Sequence, residues 1–190
     1  VFFPTETGHG MYDEGHGAGL EDFWNKWSES PLFAGAFLWA YNDDAVLRSD
    51  WTGEKKYDSF NYMAPDGIVG PYREKEGSYF TVKEVWAPVQ FKERRINDSF
   101  DGSFLVTNGY LYTNLNRCKM EYRVVQINKT KAQGSLEKNI ASGPIDIPSI
   151  VPGETRKIQF VLPDNFFEGD VLEITAWDMH GKEIYTWTWP

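Results

Sequence analysis

The sequence predicts an α+β, mainly β chain, in which two β/α units of the kind found in (β/α)8 barrels precede an immunoglobulin-like β-sandwich. Two observations predict the β/α units: apolar segments at 1–4 and 32–40 each end in polar residues, and a helical pattern separates them. A third observation predicts the β-sandwich, because from Pro88 onward the chain consists of short segments separated by turn residues. We therefore predict domains at residues 1–87 and 88–190.

Composition limits the possible functions. The 190 residues are 41% hydrophobic and 16% aromatic, with eight tryptophans, so a sizeable core can form. The net charge of −9 and the lack of a basic run argue against partners such as nucleic acid or an anionic membrane surface. No apolar run reaches the ~18 residues of a membrane span. A single cysteine excludes an internal disulfide framework and leaves the compartment open.

The first predicted strand ends in Thr5-Glu6-Thr7-Gly8-His9. In barrels of alternating strands and helices, catalytic residues lie at the C-terminal tips of the strands. Glu6 is therefore our candidate nucleophile, and the alternative is an ordinary solvated carboxylate.

A glycine-rich loop over 8–19 follows this strand. It fits neither the dinucleotide fingerprint nor the phosphate loop, which need their own glycine spacings. His9, Asp13, Glu14 and His16 are possible metal ligands by residue type, but their spacing matches no familiar site. We expect no cofactor, and the alternative of a structural or activating cation stays open, although the spacing does not indicate one.

The next segments complete one and a half β/α units. Leu20, Phe23, Trp24 and Trp27 follow helical spacing and predict a helix over 19–29. The continuously apolar run 32–40 is typical of a strand buried on both faces. Because this run ends in polar residues, we expect its tip to lie on the same catalytic face as that of the first strand.

Turn residues over 45–76 predict a long irregular excursion, and Ser78 is expected to cap a second helix over 79–86. Asp178-Met179-His180-Gly181 predicts a hairpin turn. The strands of the sandwich are predicted within seven segments: 89–96, 102–108, 118–127, 136–146, 154–162, 169–177 and 183–189.

The chain resembles the C-terminal part of glycoside hydrolase family 2, which contains β-galactosidases, β-glucuronidases and β-mannosidases. The segment from Thr5 to Met11 is similar to the strand-seven motif, in which a histidine and a methionine follow the nucleophilic glutamate by three and five residues. The segment 33–39 is similar to strand eight, whose tryptophan lines the sugar pocket. Asp66-Gly67-Ile68-Val69 and the helix ending at Trp86-Ala87-Pro88 follow in the family's order.

The resemblance implies a retaining glycosidase with Glu6 as nucleophile and a carbohydrate as substrate. By matching position His9 would contact sugar hydroxyls, and Trp39 would form a stacking wall or, alternatively, pack in the core. Asp43 and Asp66 are candidates for hydroxyl or cation contacts, and turns or caps are the alternative for both.

The sequence departs from a complete enzyme of this family. The family's acid/base glutamate follows an asparagine, and this chain contains no Asn-Glu dipeptide. A complete barrel needs about 250 residues, and fewer than ninety precede the predicted sandwich. We therefore expect a truncated barrel whose partner is the upstream part of its own catalytic domain, and a chain that is inactive alone.

The family's glucuronidases use an Asn-x-Lys motif to hold the sugar carboxylate. The matching place here is Ala64-Pro65-Asp66, whose acidic residue should repel a carboxylate. A neutral β-sugar, galactoside first, is therefore the expected substrate.

The rival hypothesis is a non-catalytic carbohydrate-binding or structural module built on the sandwich. Trp187 and Trp189 alternate with threonines and so share one face of a strand. That face could stack on sugars, form the sandwich core, or form a seam against the barrel.

Overall fold

The structure is a computed structural model that describes residues 1–8, 17–53, 57–58, 66–128 and 136–190. The chain divides into two compact units, Val1–Trp86 and Ala87–Pro190. Its described residues are mainly β, with two α-helices and antiparallel sheets. Assigning the units to a truncated barrel and an immunoglobulin-like sandwich stays a prediction. No helix in the described ranges is long and apolar enough to cross a membrane.

The first unit contains both helices, α1 (Leu20–Ser28) and α2 (Gly77–Val85), close to their predicted positions. Their apolar faces enclose a small core with the loop that precedes α2. Ring contact adds to this packing, since the centroids of Trp24 and Trp86 lie 5.2 Å apart. The buried members of this core are Leu20, Ile68, Val69 and Val82.

The predicted cap of α2 was wrong. Glu76 occupies the N-cap position without a side-chain cap hydrogen bond, and Ser78 lies one residue inside the helix, buried. The helix therefore starts earlier than the Ser78 signal indicated, at Gly77.

The two predicted buried strands pair in parallel, but only at isolated bridges: Phe2 with Phe33 and Thr7 with Leu38. Two residues explain why continuous strands do not form. Pro4 has no N–H to donate, and Gly35 has a φ of 110°, far from strand values. A third segment continues the pairing, because Asn42 bridges Val69 in parallel.

The predicted excursion over 45–76 contains a small antiparallel pair. Strand β1 (Val46–Leu47) pairs with β2 (Tyr57–Asp58), matching Val46 to Asp58 and Leu47 to Tyr57.

The described residues of the second unit form seven strands, one within each segment that the sequence predicted. These strands are β3 (Val89–Phe91), β4 (Ser103–Asn108), β5 (Lys119–Ile127), β6 (Glu137–Pro144), β7 (Thr155–Gln159), β8 (Val171–Trp177) and β9 (Glu183–Trp189). One antiparallel sheet has three strands in the order β3-β4-β7, and the other has four in the order β6-β5-β8-β9.

One hydrophobic core fills the space between these two sheets. Phe104 and Val106 of β4 meet Met120 and Val124 of β5, all of them buried. Alternate residues of β4 and β8 are buried, as expected for strands with one face toward the core. The strands of both sheets thus stabilise one another through a shared apolar layer.

The hairpin turn between β8 and β9 is confirmed. The Asp178 carboxylate accepts hydrogen bonds from the backbone N–H groups of His180 and Lys182, at 2.9 and 2.8 Å. These bonds to the charged form hold the pKa of Asp178 below its usual value.

Candidate functional site

Glu6 lies next to the point where the first two segments pair. The adjacent Thr7 donates its backbone N–H to the Phe37 carbonyl at 2.9 Å and accepts from the N–H of Trp39 at 3.1 Å. The Glu6 side chain is exposed. The backbone beside Glu6 is thus held by hydrogen bonds while the residue itself is exposed, and its role as nucleophile stays a prediction.

Trp39 lies on the other side of the same bridge, and its peptide bond to Ala40 is cis. The residue is 43% exposed. Part of Trp39 is therefore open to solvent, and its role as a stacking wall stays a prediction.

Asp66 holds the Trp39 ring. The indole Nε1 of Trp39 donates to Asp66 Oδ2 at 3.1 Å, across 27 residues of sequence. The Asp66 carbonyl also accepts from the N–H of Ala40 at 2.7 Å. The Asp66 side chain is only 7% exposed, so the carboxylate lies beneath the surface that Trp39 presents.

Asp43 is buried and braces the same loop. Its Oδ1 accepts from the backbone N–H of Gly67 at 3.0 Å, and its own N–H donates to the Val69 carbonyl at 2.9 Å. A Cβ on Gly67 would lie 2.2 Å from the carbonyl carbon of Asn42, so this approach requires glycine. These contacts match the turn alternative for Asp43, and its role toward a sugar stays a prediction.

Of the five predicted site residues, Trp39 and Asp66 are in direct side-chain contact. Asp43 is hydrogen-bonded to Gly67, the residue after Asp66, and Glu6 precedes Thr7, whose backbone is bonded to Phe37 and Trp39. His9, together with the candidate metal ligands Asp13, Glu14 and His16, lies outside the described residues.

Sequence reasoning missed Thr7. Its side chain is 6% exposed, and its Oγ1 has no hydrogen-bond partner within the described part of the chain. This buried hydroxyl lies one residue along the chain from Glu6, next to the bridge between Thr7 and Leu38. A threonine beside a glutamate at a strand tip carries no distinctive sequence signal.

Within the described ranges, no group of three or more His, Cys, Asp or Glu side chains could hold a metal ion.

The second unit offers no exposed stacking face on β9. Trp187 and Trp189 are 7% and 3% exposed and belong to the core of that unit. The indole Nε1 of Trp189 also donates to the Glu93 carbonyl at 2.9 Å. The core alternative is confirmed for both tryptophans.

No protein-family model matches the chain, and no curated protein matches it. Among solved structures, exo-chitosanase CsxA of Amycolatopsis orientalis matches 82% of this chain at 15% identity, with a TM-score of 0.38. β-Glucosidase 3B of Thermotoga neapolitana in complex with glucose matches 55% at 14% identity, with a TM-score of 0.29. The chain spans 15% and 16% of the lengths of these two proteins. Likeness at this level does not establish a shared fold or activity.

Proposed function

We propose that this chain is the C-terminal part of a retaining glycoside hydrolase that acts on β-glycosides, with Glu6 as its nucleophile. One observation carries the proposal: the Thr7–Leu38 bridge fixes the backbone beside Glu6 and also holds Trp39, which presents an open aromatic surface. A carboxylate beside an exposed ring is the combination that a sugar site needs. The family-2 motifs around the same residues support the same function.

In this mechanism a Glu6 carboxylate oxygen attacks the anomeric carbon, and the bond from that carbon to the leaving oxygen breaks. A second carboxylic acid gives its proton to the leaving oxygen and then takes one from the water that hydrolyses the glycosyl-enzyme ester. The two carboxyl groups in such enzymes lie about 5–5.5 Å apart. No cofactor takes part.

The second carboxyl group is proposed to come from the upstream part of the same barrel. In the resembling family it follows an asparagine, and this chain has no Asn-Glu dipeptide. Asp66 is enclosed and bonded to an indole, and Asp43 is bonded to a backbone N–H, so both are engaged in holding the loop. The chain alone is therefore expected to be inactive.

A neutral β-sugar, with galactoside first, is the proposed substrate class. Asp66 occupies the place where the family's glucuronidases carry a lysine for the sugar carboxylate. A buried carboxylate next to Trp39 makes this part of the site unfavourable for an anionic sugar.

The test is a panel of nitrophenyl β-glycosides, assayed with the 190-residue chain and with the chain extended upstream to complete the barrel. We expect hydrolysis only in the extended form, fastest with the galactoside and slowest with the glucuronide. Mass spectrometry with a 2-fluoro glycoside should find the label on Glu6.

Glu6→Gln in the extended form is the matched control and should remove hydrolysis, because an amide cannot act as the nucleophile. Absence of hydrolysis in every extended form would refute the proposed function. Hydrolysis by the 190-residue chain that Glu6→Gln abolishes would refute its inactivity, and a preferred glucuronide would refute the substrate class.

The binding-module alternative loses its main support in the second unit, because Trp187 and Trp189 are core residues. It predicts sugar-dependent quenching of tryptophan fluorescence that survives deletion of residues 1–87. We expect no such quenching from the second unit.

A further inference from the structure

The geometry points to Asp66 as a positioning residue, which fixes the ring of Trp39 for sugar stacking and does not itself contact the sugar. This inference rests on the proposed function and adds to it a division of labour between two residues. The sequence alone had made both residues candidates for direct substrate contact.

The two side chains differ sharply in exposure. The Trp39 side chain is 43% exposed, whereas Asp66 is 7% exposed. Asp66 Oδ2 accepts the indole N–H, and Oδ1 is buried with no hydrogen-bond partner among the described residues. The ring is thus available to a ligand and the carboxylate is enclosed behind it.

Backbone hydrogen bonds fix both ends of this pair. The N–H of Trp39 donates to the Thr7 carbonyl at 3.1 Å, and the N–H of Ala40 donates to the Asp66 carbonyl at 2.7 Å. The loop behind Asp66 is held in turn, because Gly67 donates to the carboxylate of Asp43. Within the part of the chain that the structure describes, the indole hydrogen bond links this fixed backbone to the ring.

A single bond is enough to matter for an exposed ring. A tryptophan side chain has two rotatable angles, and its backbone is already fixed here. The acceptor is a carboxylate oxygen, which generally accepts a stronger hydrogen bond than a neutral oxygen does, although 3.1 Å is at the long end of the usual range. Without it the ring would sample other rotamers, and sugar binding would have to select the stacking one.

Indole ¹⁵N–¹H NMR of the 190-residue chain tests the hydrogen bond without any activity. The Trp39 signal is assigned by its absence in Trp39→Phe. In Asp66→Ala we expect this signal to shift upfield and to exchange with solvent at least about tenfold faster, the change in rate that about 1.4 kcal/mol of lost protection gives. In Asp66→Asn, which retains an oxygen acceptor, a smaller shift is expected.

Asp50→Ala is the control, since this exposed carboxylate binds Arg48 in the same unit and not a tryptophan. It should leave the Trp39 signal in place. A Trp39 signal unmoved in Asp66→Ala overturns the inference. The other tryptophan signals would show whether Asp66→Ala folds. If it does not fold, Asp66→Asn is measured in its place, and a Trp39 signal that does not shift in that variant overturns the inference.

A double-mutant cycle in the extended, active form tests the positioning role. Asp66→Ala should raise KM about tenfold while changing kcat little, as expected when a binding surface common to ground and transition states is lost. The Trp39→Phe, Asp66→Ala double variant should be no worse than Trp39→Phe alone, because Asp66 acts through the indole N–H. An added loss in the double variant would mean that Asp66 contacts the sugar, and would overturn the inference.

The two proposals fail in different ways. If no extended form hydrolyses any glycoside, the proposed function is refuted, and the NMR comparison still decides whether Asp66 fixes Trp39. If hydrolysis occurs and Asp66→Ala leaves KM unchanged, the function stands and the positioning role is refuted.

Discussion

The Asp43 carboxylate accepts a hydrogen bond from the backbone N–H of Gly67, with 3.0 Å between Oδ1 and the nitrogen. The bond closes the loop directly behind Asp66, and it requires the backbones of two segments to come very close. This approach leaves no space for a side chain at residue 67, which makes the site's geometry testable through stability.

Gly67→Ala should destabilise the first unit by about 2 kcal/mol or more, in the upper range for overpacking. The added Cβ would lie 2.2 Å from the Asn42 carbonyl carbon and 2.3 Å from the Asp43 nitrogen, both of them backbone atoms. Urea unfolding followed by tryptophan fluorescence measures the loss. Gly53→Ala is the matched control, because a Cβ there meets no atom of the described residues within 4 Å. Equal stability of the two variants would contradict the close approach.

Asn108→Ala should cost the second unit about 3 kcal/mol, because it leaves buried groups unsatisfied. This fully buried amide donates to the carbonyls of Thr113 and Ile150, both at 2.8 Å, and accepts from the N–H of Tyr110 at 2.9 Å. Thermal unfolding by circular dichroism measures the change. Asn116→Ala, at an exposed position, should change the melting temperature little. A loss as small as that of the control would show that the Asn108 bonds contribute nothing net.

Tyr110 should make the stability of the second unit fall at high pH. Burial, with the nearby Cys118 thiol and Asp178, raises the pKa of Tyr110 from its ordinary value of 10.0 to about 12. Between these values the unfolded chain releases a proton that the folded chain keeps, so the free energy of unfolding decreases as pH rises. Unfolding measured from pH 9 to 12 should show this slope, and Tyr110→Phe should reduce it. An identical slope in the variant would contradict the shift.

Local patterns predicted most of the elements, and contacts between distant residues were beyond them. The spacing of Leu20, Trp24 and Trp27 was sufficient to predict α1, because the residues of one helix face recur every three or four positions in the sequence. Alternation placed Trp187 and Trp189 on one face of β9. Only burial could show that this face is the core, since an exposed stacking face has the same pattern.

The candidate site shows the same limit. Its residue types were visible at the ends of apolar runs, yet the bond from Trp39 to Asp66 joins residues 27 apart with no periodic relation. Nothing in the amino-acid sequence distinguishes a carboxylate that contacts the substrate from one that accepts a hydrogen bond from an indole. Pro4 and Gly35 could have indicated that the first two strands are interrupted. The continuous apolar run over 32–40 led instead to the prediction of an unbroken strand.

Trp189→Ala should destabilise the second unit by about 4 kcal/mol, the usual range for removing a large core aromatic. The ring is 3% exposed and contacts Phe91 and Phe104, with centroid distances of 5.1 and 4.6 Å. Trp189→Phe should recover part of this loss, because it keeps an aromatic ring but removes the N–H that donates to Glu93. Denaturant unfolding ranks the variants against the unsubstituted chain. A sugar-binding role predicts instead that Trp189→Ala stays stable and loses only sugar-dependent quenching, so a stable variant with lost quenching would restore the module hypothesis.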